Sequence, residues 1–80
     1  NPTTTIAYDL RTPAAVKVTI YNSLGQAIRT LLDEQRQSAG KHNVQWNGCN
    51  DSGHPVASGV YMYRVEADKR VQSKKMLLMK

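Results

Sequence analysis

Phenylalanine is absent from the chain, and tryptophan and cysteine occur once each, at Trp46 and Cys49. A single cysteine excludes an internal disulfide and a zinc site built on paired cysteines. No apolar run approaches the roughly 18 residues of a transmembrane helix, and no signal-peptide pattern opens the sequence. Internal repeats and low-complexity tracts are also lacking. At 80 residues the chain makes one domain, and one of this size buries only roughly 60% of its unfolded surface. With 40% hydrophobic and 21% charged residues it has the composition of a folded domain.

Acid is scarce in one place only. All six Asp and Glu (Asp9, Asp33, Glu34, Asp51, Glu66, Asp68) fall within residues 1–68, where six Lys and Arg balance them. Residues 69–80 carry Lys69, Arg70, Lys74, Lys75 and Lys80 with no acid, so the formal charge of +5 lies there. A duplex-binding domain spreads its cations over one face of the fold. This chain is a neutral body with a basic end, and no nucleic-acid partner is expected.

What is present alternates like strands. Ile6, Tyr8 and Leu10 share one face of residues 3–10, and Val16, Val18 and Ile20 alternate with Lys17, Thr19 and Tyr21. Asn22-Ser23-Leu24-Gly25 is a turn. Residues 26–32 would suit a helical turn through Ile28, Leu31 and Leu32, but the segment is short and reads as a strand. Residues 33–41 are polar and read as a loop. His42, Val44 and Trp46 alternate in the next strand, residues 47–59 form a long ordered connection, and Tyr61, Tyr63 and Val65 share a face of residues 60–66. After a tight turn at residues 67–70, residues 71–80 make a final strand. Short strands at this spacing predict an all-β fold, an antiparallel immunoglobulin-like β-sandwich of six to seven short strands.

Few residues carry the marks of chemistry. His42, His54 and Cys49 fall short of a spaced metal-ligand cluster. Asp51, Ser52 and His54 hold the letters of a hydrolase triad but lie almost adjacent in one loop, whereas triads are assembled from distant segments. Asn47, Asn50, Asp51 and Gly53 loosely follow a calcium loop, yet without its alternating oxygens and terminal Glu; these are also the ordinary turn formers. No cofactor, metal or enzymatic activity is expected. Without phenylalanine the rings must fill the core, so Val18, Ile20, Val44, Trp46, Tyr61 and Tyr63 are the expected core and Tyr21 the expected exposed aromatic. Structural turns are expected at Gly25, Gly48, Gly53 and Gly59. The sharpest local feature is the terminal Lys74-Lys75-Met76-Leu77-Leu78-Met79-Lys80, four apolar residues bracketed by cations. It suits either an edge strand guarded by lysines or a recognition tail.

Several stretches together resemble a known family: Asn1-Pro2-Thr3-Thr4-Thr5-Ile6, Val18-Thr19-Ile20-Tyr21-Asn22-Ser23-Leu24-Gly25-Gln26, and Trp46-Asn47-Gly48 with Asp51-Ser52-Gly53. Pro55-Val56-Ala57-Ser58-Gly59-Val60-Tyr61-Met62-Tyr63-Arg64 and the closing Lys75-Met76-Leu77-Leu78-Met79-Lys80 complete the set. In order and spacing the chain resembles the type A C-terminal sorting domain of the type IX secretion system, carried by secreted proteins of Bacteroidetes and related bacteria. It is also similar to the immunoglobulin-like domain of flagellar hook-capping proteins.

The sorting-domain resemblance implies a seven-stranded sandwich at the end of a larger exported protein, with residues 1–80 as one C-terminal domain. Of the family's fuller opening, which includes another Asn-Pro and an aromatic, only Asn1-Pro2 stands here, which leaves any cleavage site unseen. The implied partners are the outer-membrane translocon, a sortase-like peptidase and an upstream cargo domain. The implied path runs through the periplasm to the cell surface or the medium. The family's terminal segment falls on residues 74–80, which are expected to be needed for export while contributing less to folding. The alternatives are a module binding polysaccharide or cell wall through an exposed ring, or a structural interaction domain.

Overall fold

Alternating side chains sort each strand into an inward and an outward row, and burying the inward rows against each other makes the layers. The computed structural model describes residues 3–79. It contains six strands: β1 (Thr4–Leu10), β2 (Ala14–Tyr21), β3 (Ala27–Gln37), β4 (Gly40–Trp46), β5 (Gly59–Ala67) and β6 (Arg70–Leu78). All pairings are antiparallel. One sheet has two strands, β1–β4, and the other has four in the order β3–β2–β5–β6. The result is an immunoglobulin-like sandwich with two strands packed over four.

The inward rows are Ile6, Tyr8 and Leu10 on β1, Val16, Val18 and Ile20 on β2, and Tyr61 and Val65 on β5. Trp46, fully buried at the end of β4, is the largest side chain of this core. Its ring meets Tyr61 edge-on at 5.2 Å and 70°, an arrangement worth about 1 kcal/mol beyond the area it buries. Its indole N–H donates to the Cys49 carbonyl at 2.8 Å, so the polar end of the ring is satisfied. Val44 and Tyr63 are half-buried against the same cluster.

Tyr61 also donates its hydroxyl to the Ala57 carbonyl, four residues upstream, at 2.6 Å. This is the tyrosine corner of immunoglobulin-like sandwiches, which ties a strand to the loop that leads into it.

One stretch departs from the sequence reading. Residues 33–37, expected as loop, continue β3 to Gln37. Their polar side chains are mostly exposed, so composition resembles a loop while the backbone pairs with β2. The register along β2 slips at three places, each time by an extra residue in β3. Leu31 and Ile28 are two of these extra residues, and Glu34, at φ 52°, lies in the third bulge. Bulges turn Ile28, Leu31 and Leu32 all partly inward, which is why their spacing imitates a helix.

Candidate functional site

The long connection between β4 and β5 is organised by its own side chains. The Asn50 side-chain oxygen accepts from the Ser52 and His54 amides at 3.1 and 3.0 Å. Asp51 reaches across to β3: its carboxylate accepts from the Thr30 amide at 3.0 Å, and its own amide donates to the Ile28 carbonyl at 2.9 Å. Arg29 donates to the Asn50 carbonyl at 3.1 Å. The Asp-Ser-Gly segment therefore clips the loop to the edge of β3. The Asp51 carboxylate is turned to a backbone amide, and Asn47 caps the Cys49 amide at 3.2 Å. Among the described residues no three of His, Cys, Asp and Glu gather where they could hold a metal.

Gly25, Gly48, Gly53 and Gly59 all have positive φ; the first three lie in turns or bends, whereas Gly59, expected as a turn, is the first residue of β5 and pairs with Leu78. Gly48 has a second constraint. At φ +77° it lies under Leu78, whose methyl carbons would sit 3.4 and 3.5 Å from an added Cβ. The turn after Trp46 and the end of β6 are thus packed together.

The aromatic residues give no sugar-stacking platform. Trp46 is wholly inside, and Tyr21 is half-buried on the outer face of β2. There the Tyr21 hydroxyl accepts a hydrogen bond from Arg64 at 3.4 Å. Arg64 in turn meets Glu66 at 3.1 Å. Tyr21 first, and then Glu66, raise the pKa of the Arg64 guanidinium and keep it charged. On the inner side of the small sheet, burial pushes the Tyr8 phenol up, opposed by its hydrogen bond to the Gln37 side chain. The Tyr8 ring stacks on His42, its partner in β4, at 5.6 Å.

The terminal segment proves to be two different surfaces. β6 pairs with β5 along its length and has no strand on its other side among the described residues. Alternation divides it. Leu78 is 1% exposed and belongs to the core, and Met76 is half-buried against it. Lys74, Lys75, Leu77 and Met79 are exposed, and Lys80 lies outside the described residues, as do Asn1 and Pro2. The expectation that residues 74–80 contribute less to folding is therefore corrected, because Leu78 fills the core beside Gly48.

Three cations, Arg70, Lys74 and Lys75, and no acid lie along β6. At one end of the outer face beside it, apolar side chains gather. Leu77 stands opposite Val60 of β5, and Met62 next along β5 stands opposite Lys75. Val60 is 50% exposed, Leu77 57% and Met62 38%, so the three set apolar surface directly beside the basic edge. Sequence reasoning missed Val60 and Met62 because only the pairing with β6 sets them beside the basic edge.

Comparison with known proteins follows this geometry. The family model of the FlgD Ig-like domain matches residues 2–70. A solved structure described as FLGD from P. aeruginosa is similar, with a TM-score of 0.75 and 22% identity, over 95% of this chain. That likeness is one of fold, and the chain spans 60% of the length of that structure. No curated protein sequence matches.

Proposed function

The chain belongs to the FlgD Ig-like domain family, and from that premise we propose that it is a non-catalytic interaction module used as a C-terminal export signal. The observation that carries this reading is β6: a strand with no second neighbour among the described residues, with three cations, no acid, and exposed Leu77 beside Val60 and Met62. Open edges recognise partners by strand addition, and the charge row selects an acidic one. The family match ends at Arg70, where β6 begins, so the basic strand is the part outside the shared description. In this reading the type IX translocon reads the edge, a sortase-like peptidase removes the domain, and the attached cargo passes through the periplasm to the surface or the medium.

Deleting residues 74–80 is the wrong test, since it takes Leu78 out of the core. The informative variant is Lys74→Glu with Lys75→Glu, two exposed positions. Fused behind a secreted reporter in a host with the type IX system, it is expected to leave the domain folded and the reporter held in the periplasm. Normal export of the folded variant would refute the reading.

The family match favours a second reading, a structural assembly module like that of hook-capping proteins. There the same variant would be exported normally and would fail in assembly instead.

A further inference from the structure

Two strands cannot cover four, and the uncovered part has a defined place. β1 is bonded to β4 on one side and to no strand of the described residues on the other. In the larger sheet, pairing with β5 puts Arg70, Gln72, Lys74, Met76 and Leu78 on the inward row of β6. Only Met76 and Leu78 of that row are covered, while Arg70, Gln72 and Lys74 are exposed. An open cavity of about 700 Å³ lies at the end of this gap where the β1–β2 and β5–β6 turns meet, walled by Tyr8 and Leu10 of β1, Ala14 of β2, Val65 and Ala67 of β5, and Gln72 of β6. Neither β3 nor β4 lines it, so it opens on the side of β1 away from β4. A third strand bonded to β1, about 4.8 Å away, would lie over β6 and close this gap.

We propose that the free edge of β1 is a docking slot for an extended acidic segment of a partner protein, which adds to the small sheet as its third strand. Charge selects this occupant. Arg11, Lys69 and Arg70 line the cavity with Asp9 and Asp68, and Lys74 extends the cations along the uncovered row of β6. None of these cations is ion-paired among the described residues. The basic β6 of a second copy would meet like charge here, which disfavours exchange of strands between copies. Leu10, Val65 and Ala67 call for apolar side chains at alternate positions of the incoming strand, with carboxylates near its ends. This slot lies on the opposite side of β6 from the exposed Leu77 row, and it stands whether or not β6 is an export signal.

The test uses the full-length protein and a nine-residue peptide of alternating valine and glutamate, with a valine–lysine peptide as control. Hydrogen exchange is followed at the β1 amides that point away from β4. The acidic peptide is expected to slow them about tenfold or more, and the basic one to leave them unchanged. Arg11→Glu with Arg70→Glu, both exposed, should weaken the acidic peptide roughly tenfold while Trp46 fluorescence stays that of the folded protein. Slowing confined to β6 or β4, or equal slowing by both peptides, would overturn the proposal. So would full protection of β1 with no peptide added, because the protein's own chain would then occupy the slot.

Discussion

Single residues here matter through what lies opposite them. Tyr8 is placed by alternation on the inner row, but its stacking on His42 and its bond to Gln37 come from strand pairing that spacing does not specify. Its burial has a consequence at high pH. The unfolded chain gives up this phenolic proton near pH 10, whereas burial raises the pKa in the fold. Between those two values the unfolded state binds fewer protons, so stability is intact below about pH 10 and falls as pH rises further. Tyr8→Phe loses the Gln37 hydrogen bond, about 1 kcal/mol at neutral pH. Its deficit against the parent should shrink above pH 10, as measured by urea unfolding across that range. A deficit that stays constant would show that Tyr8 does not titrate with unfolding. Gly48 teaches the same lesson: a glycine turn is visible in the sequence, but its contact with Leu78, thirty residues on, is not.

At the scale of elements, legibility followed periodicity. β1, β2, β4 and β5 alternate cleanly and were readable to within a few residues. β3 was read as a strand only over its first half, because three bulges break its period and its second half is polar on both faces. β6 was readable as a strand, but its division into a core row and an open row needed the register with β5. That division makes a sharp contrast between neighbours. Leu78→Ala removes a fully buried side chain and should cost about 2–4 kcal/mol. Leu77→Ala, more than half exposed, should change stability by no more than about 0.5 kcal/mol. Denaturant midpoints of the two variants decide it, and equal losses would mean that β6 is not held in this register. If the contrast holds, a binding defect in Leu77→Ala reports on recognition and not on folding.

For the whole molecule, charge arithmetic located the basic end of the chain but could not say that it lies at a sheet edge. Edge position depends on sheet order, and sheet order is set by contacts between strands far apart in sequence. Once β6 is at the edge, its cations do more than attract a partner. An open edge beside Val60, Met62 and Leu77 is a template for pairing with another copy. Antiparallel pairing of two β6 strands about their middles would bring Lys74 and Lys75 of one copy against those of the other, which their repulsion opposes. The same row that would draw an acidic segment therefore keeps the protein from using its own edge. Lys74→Ala with Lys75→Ala leaves the apolar rows untouched and removes most of that repulsion. Sedimentation at increasing concentration should show the parent monomeric and the variant associating, with added salt moving the parent part of the way as the charges are screened. A variant that stays monomeric throughout would mean that strand geometry, and not charge, keeps the edge unpaired.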